Sequence, residues 1–328
     1  MAEAFATAQA SLPAYSHVNS PKKFTQHQLF ACLVLKEHQK KDYRGVVALL
    51  ADCSDLRQVI ALEKVPHFTT LQKASQRLLR QRQFSTLLDH SVRRILGRRR
   101  NVQHSAADST GFDARHASRY YVHRRDNDPR KGEKRPKKRV SYRRFGKLLI
   151  IVCCTSHAIL AAVASAGPTP DIDQLEDVMG QLTPSVTLKR MALDAGFDSG
   201  RNHRLLRDDS DILSFIPPLH GRPSKDPDAL PADKYRRLMK RQFGNGRKPA
   251  AYRHRVQNET VNSMLKRNLG DALRGRSHHA RRRDMLLRVL THNLMLALLW
   301  VFYRARMTPF MSVPTRQQPR MPFHPRLI

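Results

Sequence analysis

The chain has 328 residues, enough for one catalytic domain and a smaller one, since domains usually have about 100–200 residues. Its 60 lysines and arginines stand against 27 aspartates and glutamates, and the net charge of +33 favours nucleic acid over an acidic membrane surface as the partner. The only long apolar run, 294–303, is far shorter than the about 20 residues of a membrane span, and the N-terminus has no signal core, so we expect a cytoplasmic, nucleoid-associated protein without a membrane segment.

The first hundred residues have a helical pattern after a short irregular start. We predict a flexible tail at 1–23 and a helical domain at 24–100. Thr69 followed by Gln72 fits a capping box at the start of one of these helices. Two interpretations stay open: a bundle whose basic faces are merely solvated, or a domain that binds DNA or dimerises.

From residue 101 the pattern changes to strands mixed with helices, and we place one domain at 101–308. Strands are predicted at 102–112 and 118–124, and the apolar runs 148–154 and 159–166 predict a hairpin. Cys153 and Cys154 should point to opposite faces of that hairpin as free thiols, since the sequence has no Cys-x-x-Cys pair. A helix at 171–182, a strand ending near 194, a helix at 199–207 and a strand at 211–218 complete a mixed α/β sheet.

The remainder alternates charge-rich and helical segments. We predict an irregular insertion at about 219–250, helices at 252–269 and 284–305, and a basic C-terminal tail at 309–328. Two strongly basic blocks, 115–147 and 236–288, flank a few isolated acids. A basic run alone is usually a solvated face, but these two blocks surround residues suited to catalysis.

Three acids are candidates for that chemistry. Asp108 ends a predicted strand in the motif DSTG, Asp194 ends another in DAGFDS, and Glu259 lies within the helix 252–269. Each alone has an ordinary explanation, as a turn residue or a surface ion-pair partner. Their combination is what indicates a site.

The predicted helix around Glu259 is the most informative segment. Tyr252, Arg255, Glu259 and Lys266 are spaced so that, at about 100° per residue, they lie within an arc of roughly 60°. The apolar residues of the same helix fall on its opposite side. An amphipathic helix with a solvated polar face explains the apolar stripe, but not a glutamate aligned with three phosphate-binding side chains.

Over about residues 40–305, the order Asp, Asp, then Tyr-x2-Arg-x3-Glu-x6-Lys resembles DDE insertion-sequence transposases, in the branch with the Tyr-Arg-Glu-Lys signature. The segment YRHRVQNETVNSMLK matches the third motif of that family at every signature position. DSTG is similar to its first motif and DAGFDS to its second. The resemblance implies an α/β, ribonuclease-H-like catalytic core with flanking helices, preceded by a helical N-terminal domain.

The resemblance also implies a mechanism. Asp108, Asp194 and Glu259 would be the catalytic metal ligands for two Mg²⁺ ions, with Mn²⁺ as a substitute, since Mg²⁺ prefers carboxylate oxygens and water. Asp108 would bridge both ions. Tyr252, Arg255 and Lys266 would hold DNA phosphates beside the metals.

The expected partners are double-stranded DNA, as the terminal inverted repeats of the element and as target, and a second copy of the chain in a homodimer. A set of basic side chains in the first block should contact the DNA backbone without reading sequence: Arg124, Arg125, Lys137, Lys138 and Arg139.

One position departs from the resemblance. Some relatives hold a flipped base with a tryptophan in the insertion, whereas Trp300 is expected in the core here. Phe243 is the aromatic residue that could stack on a base instead. Because Trp300 is not in the insertion, the resemblance does not imply a hairpin intermediate at the DNA end. Two rival functions remain: an inactivated protein that only binds nucleic acid, and a two-metal nuclease that cuts without strand transfer.

Overall fold

The computed structural model describes residues 1–98, 100–114, 145–218, 231–244 and 248–307, with side chains up to residue 300. The predicted strand 118–124, the five basic residues at 124–139 and the tail at 309–328 lie outside the described residues. The first part of the chain forms the helices α1 (Ala2–Ser11), α2 (Gln26–His38), α3 (Tyr43–Asp52), α4 (Ser54–Gln58), α5 (Phe68–Leu78) and α6 (Gln81–Leu96).

Helix α1 occupies most of the first half of the segment predicted to be a flexible tail. Ala4, Ala8 and Leu12 recur every four residues and are buried in the core shared with α2. Glu3 binds Arg94 of α6, with 2.7 Å between Oε1 and Nε. The flexible-tail prediction is therefore wrong for this helix, because alanines allow close packing yet give no clear apolar stripe in the sequence.

A capping box is present at a different helix from the one predicted. Thr25 accepts a hydrogen bond from the Gln28 backbone N–H at 3.1 Å, and its own N–H donates to the Gln28 side chain at 3.0 Å, which starts α2. At α5 the helix begins two residues earlier than expected. His67 precedes it, and Thr69 lies within the first turn with its hydroxyl 2.8 Å from His67 Nδ1. The capping box at Thr69 was wrong because that hydroxyl already has another partner.

The part of the chain after residue 100 is built on a mixed sheet. Its strands are β2 (Ser105–Ala114), β3 (Gly146–Cys153), β4 (Ile159–Ala166), β6 (Arg190–Leu193) and β7 (Leu213–Phe215), in the order β4-β3-β2-β6-β7. β2, β3 and β4 are antiparallel neighbours, whereas β6 and β7 run parallel to β2. β8 (Ala272–Leu273) pairs with the far end of β2, and β1 (Asn101–Val102) pairs separately with β5 (Thr187–Leu188). The predicted hairpin and the predicted mixed α/β sheet are confirmed.

Helices cover both faces of this sheet. They are α7 (Leu175–Met179), α8 (Gly200–Arg207), α9 (Lys234–Gln242), α10 (Val256–Leu269) and α11 (His278–Met307). Successive residues of β3 belong alternately to two apolar clusters, as expected for a strand buried on both faces. Cys153 belongs to one cluster and Cys154 to the other, so their predicted opposite orientation is confirmed, and Trp300 packs against the same cluster as Cys153.

Helix α9 lies inside the segment predicted to be an irregular insertion. Asp233 caps it by accepting hydrogen bonds from the N–H groups of Tyr235 and Arg236. Within the helix, the side chain of Met239 is fully buried. The irregular prediction for 219–250 is wrong over these residues, because the helix depends on distant contacts that the local composition does not reveal.

The outer edge of β4 has an unusual partner. Asn293 of α11 accepts a hydrogen bond from the Ile159 N–H and donates one to the Ile159 carbonyl, both at 2.9 Å. Its amide also donates to Ser91 of α6 at 3.1 Å. A single buried side chain therefore joins the edge of the sheet to two helices. No helix within the described residues is long and apolar enough to cross a membrane.

Candidate active site

The parallel pair β2 and β6 places two of the predicted acids side by side. The last residues in register are Ala107 and Leu193, so the next residues along the two strands are Asp108 and Asp194. Asp194 directly follows β6, as predicted, and its side chain is exposed. Asp108 is half-buried and lies within β2, not at its end, because β2 continues to Ala114 by pairing with β3 and β8.

The start of α10 is fixed on the same part of the sheet. Asn258 is completely buried and donates to the carbonyl of Ala106 at 3.1 Å and to that of Ile150 at 3.5 Å. Ile150 is the residue of β3 paired with Asp108. Since Glu259 follows Asn258 in the first turn of α10, it emerges close to the two aspartates.

Tyr252 and Arg255 do not lie on an α-helix, in contrast to the predicted single helical face. They belong to a 3-10 turn, Ala250–Arg255, that precedes α10. Because a 3-10 helix has three residues per turn, Tyr252 and Arg255 still lie one above the other. Arg255 Nη2 is 2.7 Å from Glu259 Oε1, so the grouping of these three side chains survives the change of backbone.

Arg255 is the cation of this site. Burial alone would lower the pKa of its guanidinium, but Tyr252 and the three acids around it raise the pKa above its ordinary value. Burial raises the pKa of the Tyr252 phenol, while the neighbouring Arg255 opposes that shift. The charges of Asp194 and Glu259 therefore act on both side chains.

Lys266 lies farther along α10. Its Nζ is 5.9 Å from the centre of the Phe112 ring, on β2 beyond Asp108. The structure thus groups five of the predicted side chains: Asp108, Asp194, Glu259, Tyr252 and Arg255. Lys266 lies on the same helix as Glu259 and beside the same strand as Asp108. Phe243 meets Tyr252 edge to face, with ring centres 4.9 Å apart.

A fourth carboxylate, Asp171, was missed by the sequence analysis, which assigned its segment only to a helix. Its Oδ2 accepts a hydrogen bond from Ser109 at 3.1 Å, and its Oδ1 is 2.6 Å from Lys147 Nζ. Asp171 opens a short 3-10 turn after Pro170, and no sequence motif marks it as part of the site.

Burial opposes the ionisation of Asp108. Burial raises its pKa to about 6, and Asp194 and Asp171 add to the shift. The Ser109 N–H, which donates to Oδ1 at 2.8 Å, and the guanidinium of Arg255 oppose it. An ionised Asp108 is therefore unfavourable in the folded chain until a cation neutralises it.

This shift predicts a pH dependence of stability. A carboxyl whose pKa is raised on folding costs stability once it ionises, so the cost is absent below the ordinary pKa of 3.8, grows up to about pH 6 and is constant above. Without divalent metal, the wild type should lose stability relative to Asp108→Asn across that interval. Urea unfolding of both proteins between pH 4 and pH 8 measures the difference, and parallel curves would contradict the prediction.

The donor set suits a hard divalent cation. Asp108 and Asp194 offer only oxygen ligands, and Mg²⁺ commonly binds one or two carboxylates and keeps several waters. Within the described residues, no group of three His, Cys, Asp or Glu side chains is arranged to hold a metal ion. The Glu259 carboxylate is turned toward Arg255 instead. Burial, with a smaller contribution from Asp194, raises the pKa of Asp108, and a bound cation would remove that cost.

The mixed sheet thus carries acids at two adjacent parallel strands, and a third acid lies on the helix fixed against them. Sequence comparison then assigns the chain to a family. The model of the family described as the transposase DDE domain matches residues 101–294, more than half of the chain. The chain belongs to this family, whose members generally use divalent metal ions.

Two further comparisons give less. No curated protein matches the chain significantly. Among solved structures, a chain in the crystal structure of a pre-cleavage Mos1 transpososome is similar, at 12% identity and a TM-score of 0.21, over 88% of this chain and 81% of that one. A likeness at that TM-score is too weak to support a functional assignment.

Proposed function

We propose that the protein is an Mg²⁺-dependent insertion-sequence transposase of the Tyr-Arg-Glu-Lys branch. The observation that carries the proposal is the register of β2 and β6, which sets Asp108 beside Asp194, with Glu259 held next to them through Asn258. The family assignment supports it, and so does the grouping of Tyr252 and Arg255 with the three acids.

In this proposal Asp108 would contribute to both metal sites, while Asp194 and Glu259 would each complete one. When bound, two Mg²⁺ ions activate water, neutralise charge at phosphorus and stabilise the leaving oxygen. Arg255 keeps the Glu259 carboxylate neutralised in the absence of DNA. A DNA phosphate offers the same guanidinium an alternative partner, since arginine binds phosphate and carboxylate in the same bidentate manner. Tyr252 and Lys266 hold phosphates on either side.

Double-stranded DNA is the proposed partner, both as element ends and as target, and a homodimer is the proposed active form. The net charge of +33 supports this choice. Each phosphate neutralised by lysine or arginine releases counterions, so DNA binding should weaken steeply as salt is raised.

The test is a cutting assay on DNA that carries the ends of the element. We expect nicking or double-strand cleavage at the ends in Mg²⁺, joining to a target plasmid, and binding without cutting in EDTA. Cutting without joining would identify the nuclease alternative. Binding without any metal-dependent cutting would identify an inactivated nucleic-acid-binding protein, and either result would overturn the transposase proposal.

The first basic block provides a separate prediction. Neutralising Arg124, Arg125, Lys137, Lys138 and Arg139 together should weaken binding to element ends and to random duplexes by the same factor, because contacts to phosphates carry no sequence information. The slope of log affinity against log salt should also become shallower. Titrations with both duplexes measure this. A loss confined to the element ends would mean that the segment reads sequence.

A further inference from the structure

The second acid motif, DAGFDS, contains another aspartate that the proposed chemistry does not use. Asp198 follows Asp194 by four residues, and its side chain has no exposed surface. Arg236 binds both of its oxygens, with Nε 3.1 and 3.0 Å from Oδ1 and Oδ2 and Nη2 2.8 Å from Oδ2. This Asp198–Arg236 ion pair joins the turn after β6 to helix α9.

Neighbouring side chains hold the Asp198–Arg236 ion pair in place. His203 of α8 is fully buried, with Nε2 3.7 Å from Asp198 Oδ1 and Nδ1 2.7 Å from the hydroxyl of Ser214. A second link between α8 and α9 is the ion pair of Arg204 with Asp233, at 2.9 Å. The start of α9 is therefore fixed to the sheet by charged contacts that are unusual in a surface helix.

The other end of α9 reaches the site. Phe243 directly follows the helix and packs edge to face against Tyr252, with an interplanar angle of 84°. Tyr252 in turn interacts with Arg255, which binds Glu259. A continuous series of contacts thus runs from the buried Asp198 through α9 to the side chains beside the acids.

We propose that Asp198 is a positioning residue: through Arg236 it fixes α9, and α9 sets, through Phe243, where Tyr252 and Arg255 lie relative to the acids. The inference rests on the proposed function for its effect on cutting. The motif DAGFDS then has two roles, since Asp194 faces the metal and Asp198 fixes the helix that completes the phosphate-binding side of the site.

Arg236→Ala and Arg237→Ala form a matched pair of variants for the test. Both remove one positive charge from α9, but Arg237 is exposed and makes no ion pair with the described residues. Phe243→Ala interrupts the series at its other end while leaving the Asp198–Arg236 ion pair intact. Phe243→Leu keeps an apolar contact with Tyr252 and serves as the conservative variant.

The first readout is independent of activity. Hydrogen exchange on the full-length protein, followed by mass spectrometry, should show several-fold faster exchange in the turn 250–255 for Arg236→Ala and Phe243→Ala than for Arg237→Ala. Exchange in β3 should be equal in all of them, which reports that the core is folded. Unchanged exchange in the turn would overturn the proposal even if the wild type cuts no DNA.

The second readout is the single-turnover rate of cutting, measured beside DNA affinity in EDTA. A misplacement of about 1 Å at a reacting centre can cost about 100-fold in rate, so Arg236→Ala and Phe243→Ala should cut about 10–100-fold more slowly than Arg237→Ala at equal affinity. Phe243→Leu should recover most of the rate. Rates equal to that of Arg237→Ala would overturn the positioning role, whereas a wild type that never cuts would refute only the proposed function.

Discussion

Replacing Asp108 with asparagine is expected to abolish Mg²⁺-dependent cutting while DNA binding persists. The substitution keeps the shape of the side chain but removes the charge that both metal sites share in the proposal. Losing metal stabilisation of the attacking water and leaving oxygen should cost at least about 4 kcal/mol of barrier lowering, or about 1,000-fold in rate. Asp194→Asn and Glu259→Gln should behave similarly, whereas Lys266→Ala should keep part of the cutting activity.

The measurement combines a cleavage assay in Mg²⁺ with a binding assay in EDTA. Asp113→Asn is the matched control, because Asp113 lies on the same strand, β2, and is exposed. Affinity of Asp108→Asn in EDTA should equal or exceed that of the wild type, since one repulsive charge is gone. Normal cutting by one of the three acid variants would remove that residue from the site, and normal cutting by all three would refute the enzyme.

The largest expected loss of stability follows from removing Arg288. Its side chain is only 3% exposed, and Nε lies 2.9 Å from Glu37 of α2. It also donates to the carbonyls of Gly270 and Ala272, both at 2.7 Å. Burial alone would raise the pKa of Glu37, but Lys36 and Arg288 hold it below its ordinary value. This buried cluster therefore connects helix α2 to α11 and to the segment 270–272.

Arg288→Ala leaves Glu37 buried beside a single cation, and it leaves the carbonyls of Gly270 and Ala272 without this partner. Breaking a buried ion pair from one side typically costs about 3–5 kcal/mol. Lys189→Ala is the control, because Lys189 and Asp211 form an exposed pair 3.5 Å apart that should contribute less than about 1 kcal/mol. Urea denaturation followed by circular dichroism measures both. A loss for Arg288→Ala as small as that of the control would contradict the prediction.

Local patterns were sufficient for the elements whose side chains are buried in long regular runs. The apolar runs at 148–154 and 159–166 correctly predicted β3 and β4, and the pattern at 252–269 correctly located α10. The position of Asp194 at a strand end was also correct. These features depend on neighbours in sequence, which a periodic pattern records.

The elements that were predicted wrongly are held by residues far away along the chain. Helix α9 is held by Arg236 on Asp198, and α1 by packing against α2 and by Arg94. The 3-10 turn before α10 was not predicted, because the spacing of three residues between Tyr252 and Arg255 fits either helix type. Asp171 was missed because nothing near it in the sequence indicates that it faces Ser109 and Lys147. The division into domains at residue 100 stays a prediction.

The contact between Asn293 and Ile159 also bears on self-association. β4 is the outer strand of the sheet, and an outer strand with free N–H and C=O groups can recruit a strand from another molecule and lead to aggregation. Asn293 satisfies both backbone groups of Ile159 as a neighbouring strand would. At this position the amide of one helix residue replaces the missing strand, so Ile159 has no free backbone group with which a strand of another molecule could pair.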